Sequence, residues 1–171
     1  KGALQNINFQ YNVRAENRIQ TTDSLFFKPV MFENAKAGFQ HTIPLSTNFK
    51  IFKHFSMSTS ANFKENWTFN TIKKDYDLET QSVIIKPLKG FDSYRTYNFS
   101  TSVGTTVYGM FDFGENKKIQ AIRHVMRPSV SYNINPSFDR YYETYEVISA
   151  DGTTTNEVDY SRFEQSLFGA P

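Results

Sequence analysis

Between residues 6 and 16 the chain alternates without interruption. Asn6, Asn8, Gln10, Asn12, Arg14 and Glu16 share one parity, and Ile7, Phe9, Tyr11, Val13 and Ala15 share the other. Successive side chains of a strand point to opposite faces, so this spacing predicts a strand with one polar and one apolar face. The pattern returns three times. Over 36–50, Lys36, Gln40, Thr42, Ser46, Asn48 and Lys50 oppose Ala37, Phe39, Ile43, Leu45 and Phe49. Over 55–70, serines, asparagines and Lys64 oppose Phe55, Met57, Ala61, Phe63, Trp67 and Phe69. Over 96–111, Thr96, Asn98, Ser100, Ser102 and Thr106 oppose Tyr97, Phe99, Val103, Val107 and Phe111.

These runs are longer than the usual strand of about 5–6 residues, whereas about ten tilted residues cross a bilayer core. The expected strands lie near 4–20, 35–52, 55–72, 93–113, 119–135 and 158–169. Short turns, FKHF (52–55) and FGENKKI (113–119), alternate with long connections near 21–34, 73–92 and 136–157. Short turns at one end and long loops at the other are the habit of outer-membrane barrels. The predicted fold is all-β: an antiparallel transmembrane β-barrel, of which this chain supplies about six consecutive strands. Six strands do not close such a barrel, so a larger one is expected, and both chain ends are expected to be cuts within a longer protein.

Aromatics sharpen that picture. They are 16% of the 171 residues, with seventeen Phe and ten Tyr but one Trp. Phe52, Phe55, Phe111 and Phe113 fall at the short-turn ends, and Trp67, Phe69, Tyr94 and Tyr97 near the long-loop ends. Two such belts are expected where a barrel wall meets lipid headgroups. No run of eighteen apolar residues supports a transmembrane helix, and no cysteine is present for disulfides or thiolate metal sites.

A formal net charge of +2 implies no bulk electrostatic partner, nucleic acid included. No phosphate-binding glycine loop, nucleophile elbow or carboxylate pair marks a catalytic site. His41, His54 and His124 lack metal-ligand spacing, so neither enzyme activity, nor a metal, nor a cofactor is predicted. Parity places Arg14, Lys36, Lys50, Lys64, Arg95, Arg123 and Arg127 on the polar, lumen-facing side. Such a wall suits an anionic, sugar-rich cargo, unless strands elsewhere supply compensating carboxylates.

Four blocks of sequence carry a resemblance. They are YGMFDFGENKKIQAIRHVMRPSVSYNINPSF (108–138), YYETY, YSRFEQSLFGAP and PLSTNFKIFKHFSMSTSANFKENW (44–67). Together they resemble the barrel region of the LptD family in its Bacteroidota-type branch, with Arg123, His124 and Pro128 as the distinctive motif. The resemblance implies an outer-membrane translocon that inserts lipopolysaccharide into the outer leaflet of a Gram-negative bacterium. It implies lipopolysaccharide, an LptE-like plug lipoprotein, a periplasmic Lpt bridge and outer-membrane lipid as partners. The family's disulfides find no cysteine here, and its gate strands are not represented. Alternatives from the residues are another large outer-membrane barrel (a nutrient receptor or protein-secretion translocon) or a soluble β-rich adhesion or glycan-binding module. Pro44 and Pro128 lie inside expected strands, where a missing N–H marks either weakened pairing or a bulge; bulges in a closed wall are expected, while parity holds across Pro128, so that proline is expected not to shift the register.

Overall fold

The computed structural model describes residues 6–115, 117–148 and 155–171. The expected start of the first strand at residue 4, Asn116 of the second short turn and residues 149–154 of the last long connection lie outside them. The fold is all-β and antiparallel. Its main sheet runs in the order β1 (Ile7–Phe9), β3 (Lys36–Ile51), β4 (Phe55–Asp77), β5 (Ser82–Gly104) and β8 (Ser129–Ile134). β2 (Asn12–Arg18) also pairs with β3. Two ribbons complete the chain: β6 (Val107–Asp112) with β7 (Ala121–Met126), and β9 (Tyr142–Ile148) with β10 (Thr155–Ser161). A short helix, α1, spans Pro29–Glu33. Among the described residues the sheet does not close; β1 and β2 form one edge and β8 the other.

The two prolines explain why some strands are split. Phe9 opposes Leu45 on one side of the first break, and Asn12 opposes Thr42 on the other. The same number of residues is passed over on each strand, so the register is unchanged. Gln10 N–H donates to Pro44 O at 3.3 Å, but Pro44 has no N–H to return the bond. The second break repeats the device. Gly104 opposes Ser129, Val107 opposes Met126, and Thr105 N–H donates to Pro128 O at 3.1 Å. A bulge would set two residues against one and shift every later pair. Neither proline does so, which corrects the expectation of bulges: each removes one ladder bond and leaves the faces in phase.

The expected loop at 21–34 holds α1, and the other two expected long loops carry strand. Strand continues through most of 73–92, in β4 as far as Asp77 and in β5 from Ser82. The tight turn between them is held by Asp77, whose carboxylate accepts from Thr80 O–H and Glu79 N–H, and these bonds lower its pKa. Both faces of this arm are polar or exposed, so no alternation announced it. The expected sixth strand near 158–169 is strand only to Ser161, pairing with β9; turns follow. The expected loop at 136–157 holds β9 and the start of β10.

The residues group into two compact units, the first built from Lys1–Gln10, Pro44–Asn62 and Tyr97–Asn135, the second from Tyr11–Ile43, Phe63–Thr96 and Pro136–Pro171. In the second unit the segment after β10 lies on the polar face of β4 and β5. Phe163 is fully buried there, against Tyr94 at 4.7 Å and Tyr141 at 5.8 Å between ring centroids. Ile72 N–H donates to Arg162 O at 2.9 Å, and Lys74 pairs with Glu164 at 2.6 Å. Gly38 permits the close approach: a Cβ there would sit 2.6 Å from Trp67 O and 3.0 Å from a Phe168 ring carbon. Gly38→Ala is therefore expected to destabilise by about 1–3 kcal/mol, because strand backbone must move. A denaturant midpoint equal to wild type would contradict this.

Candidate functional site

The ladders fix which side chains share a face. Asn8 opposes Ser46, Asn12 opposes Thr42, and Arg14 opposes Gln40, whose amide donates to Asn66 Oδ1 at 2.9 Å. Ser100 opposes Asn133 and Ser102 opposes Ser131. Within each unit these polar residues share one face. Phe9 with Leu45, Ala15 with Phe39, Phe99 with Ile134, and Val103 with Val130 form the opposite one.

On the polar surface the cations differ in their surroundings. Arg14 and Arg18 both bind the Glu16 carboxylate, Arg18 at 3.1 Å. Lys36 Nζ donates to Gln165 O at 2.5 Å. Lys64 is exposed, and Arg123, opposite Met110, stacks its guanidinium 4.7 Å from the Tyr108 ring centroid. Lys50 and Arg127 line one cleft, together with Lys53 and His54 of the short turn. No carboxylate reaches salt-bridge distance of these four among the described residues. Sequence parity missed the last two because turn residues belong to neither face; the adjacency of Lys53 and His54 to Lys50 was the available signal.

Two expected placements are corrected. Arg95 lies on the apolar face, not the polar one. Its guanidinium meets Glu65 at 3.1 Å, and the same Glu65 oxygen accepts from the Trp67 indole at 3.0 Å. Arg95 shares the parity of Tyr97 and Phe99, so strand alternation requires this side. Tyr94, expected in the aromatic belt, is instead 2% exposed on the polar face, under Phe163, with its hydroxyl donating to Gly169 O at 2.8 Å. The remaining belt residues are on or beside the apolar face. Phe52, at φ 48°, projects from the short turn near exposed Phe55, and Phe111 and Phe113 are exposed at the other short turn. Trp67 and Phe69 gather around Phe91 at 5.8 and 5.9 Å between centroids, and Tyr97 is exposed.

A polar relay is embedded in this aromatic group. Tyr11 O–H bonds His41 Nδ1 at 2.7 Å, and the His41 ring lies 4.4 Å from that of Trp67. Glu65 and Arg95 complete it. Nothing in the sequence singled out Glu65, which stands at an apolar parity. Glu65→Ala would leave both the indole N–H and the guanidinium without their acceptor, at an expected cost of about 1–3 kcal/mol. Trp67 is the only tryptophan, so its emission reads this site directly; an unshifted spectrum in the alanine variant would contradict the bond. His124 opposes Gly109, whose missing side chain leaves the imidazole room on the apolar face.

The long paired strands and the two dissimilar faces define the class: a two-faced antiparallel β-sheet protein. The chain belongs to the LptD protein family, whose model matches residues 1–171. That is a family of lipopolysaccharide-transport proteins of the outer membrane, not of enzymes. No curated protein and no solved structure matches the chain.

Proposed function

We propose that this chain is part of the wall of an outer-membrane β-barrel that delivers lipopolysaccharide to the outer leaflet. The observation that carries the reading is the inverted distribution of polarity. Phe9 is 66% exposed, Val130 77% and Tyr132 62%, all on one face, while Asn66, Thr68 and Thr71 are buried. A contiguous apolar face of this extent is unfavourable in water and is favoured against lipid.

The belts support the same reading. About twelve residues separate Phe55 from Trp67 along β4. At about 3.3 Å per residue and a tilt of about 40°, they span roughly 30 Å, close to a hydrocarbon core. Between them the apolar face carries Met57, Ala61 and Phe63. The Glu65–Arg95–Trp67 group then falls at headgroup level, where a polar relay among aromatic rings is stable. The open sheet edges call for further strands, because unpaired backbone groups in lipid cost several kcal/mol each.

On the polar face, Arg14, Lys36, Lys50, Lys64, Arg123 and Arg127 line the path for the sugar and phosphate part of the cargo. An LptE-like lipoprotein within the lumen and a periplasmic Lpt bridge are the partners this reading requires. The test is depletion of the intact protein in its own cells. Lipopolysaccharide accessible at the surface should fall while the cell's total does not. Unchanged surface lipopolysaccharide would overturn the proposal.

A further inference from the structure

The net charge of +2 conceals a strong division. The first unit sets seven Lys and Arg residues against two carboxylates, Asp112 and Glu115, which leaves twelve of the nineteen cations and fifteen of the seventeen carboxylates to the second. In the second unit six of the twelve cations form ion pairs, Arg162 with Asp92 at 2.8 Å, Lys86 with Asp75 at 2.8 Å and Lys74 with Glu164 among them. In the first unit none of the described cations does. Lys50, Lys53, His54 and Arg127 surround an open cleft of about 590 Å³ on the polar face, and no carboxylate lines it.

The cleft is built rather than incidental. Lys53 stands at φ 65° in the tight turn after β3, and Thr105 Oγ1 donates to His54 O at 2.8 Å, latching that turn to β5. The register, unchanged across Pro128, sets Arg127 on the same wall, level with Thr106. Ser56 and Ser129 add hydroxyl donors. An adjoining cleft shares Lys50, Lys53 and Ser56 and adds the amides of Asn6 and Asn48, with Asn48 already accepting from Ser58. Unpaired cations beside hydroxyls and amides match a phosphate attached to a sugar. The three like charges of Lys50, Lys53 and Arg127 repel unless an anion is present, and the volume lies within the range of small-ligand sites.

We propose that this cleft, at the short-turn end of the wall, binds the phosphate of a phosphorylated glycolipid. Naming the transported glycolipid as the ligand rests on the function proposed above; the affinity for sugar-linked phosphate does not. The test uses the intact protein in mixed micelles and compares a phosphorylated glycolipid, its dephosphorylated counterpart and phosphatidylglycerol. Wild type should bind the phosphorylated glycolipid at least tenfold more tightly than either of the others. Combining Lys50→Gln, Lys53→Gln and Arg127→Gln should remove that preference, and Arg127→Lys should keep most of it. Should the triple variant fail to assemble, Arg127→Gln alone and competition by inorganic pyrophosphate on wild type give the same reading.

Equal binding of the phosphorylated and dephosphorylated forms would overturn the proposal. So would unaltered binding by an assembled variant. Equal binding of phosphatidylglycerol would assign the cations to the membrane surface instead, and would overturn it too. Tenfold discrimination in a protein whose depletion leaves surface lipopolysaccharide unchanged would uphold the cleft and refute the transport role. Loss of delivery on depletion, with no discrimination at the cleft, would do the reverse.

Discussion

Replacing Leu45 with arginine is expected to destabilise the assembled protein by about 2–4 kcal/mol and to lower its yield in outer membranes. Leu45 opposes Phe9 on the apolar face and lies about six residues above the end of β3, near the middle of the span between the two aromatic belts. In the barrel wall proposed above, a guanidinium there must enter hydrocarbon. Ser60→Arg is the control. Ser60 is exposed on the polar face, two residues beyond Ser58, whose hydroxyl bonds Asn48. Its replacement should change stability by no more than about 0.5 kcal/mol. Heat-modifiable mobility and urea unfolding of the purified protein read both variants. Equal defects at the two positions would mean that the faces are assigned wrongly.

Phe163→Ala should be the most damaging change outside the apolar face, at about 3–5 kcal/mol. Its ring is 0% exposed and fills the space between Tyr94 and Tyr141. The segment it anchors is also held by polar contacts: Arg162 to Asp92, Lys74 to Glu164, and Tyr94 to Gly169 O. The two ion pairs are partly solvent-exposed, and each contributes about 1 kcal/mol or less. The ring therefore dominates, and Glu164→Gln should be mild. Hydrogen exchange at the Ile72 amide, which donates to Arg162 O, should quicken in Phe163→Ala and stay slow in Glu164→Gln. Equal exchange in both would show that the polar contacts hold the segment.

The faces of β1 to β5 were legible in the sequence because strand alternation is a local signal, written residue by residue. The strand-filled arm around the Asp77 turn was not legible. Lys73, Lys74, Asp75, Lys86 and Lys89 put charge on both parities, and water on both sides imposes no period. Arg95 and Tyr94 were exchanged for a related reason. A tyrosine next to an arginine suggests belt and lumen respectively, yet Phe163, far along the chain, covers the tyrosine on the polar side. Glu65 looked like a fault in the apolar row until its two donors, Trp67 and Arg95, were in place. The prolines were visible as breaks in pairing; parity already gave Pro128 as leaving the register in phase, and the ladder bears that out and shows the same for Pro44.

The central claim is that one face of this sheet meets lipid and the other meets water. The chain has no cysteine, so single cysteines can be introduced one by one from Met57 to Lys64 of β4 and spin-labelled in the intact protein, in membranes. Odd-numbered labels should collide with dissolved oxygen and even-numbered ones with a water-soluble nickel reagent, alternating at every position, with the oxygen effect greatest midway between Phe55 and Trp67. Uniform access of the nickel reagent to both parities would contradict the account.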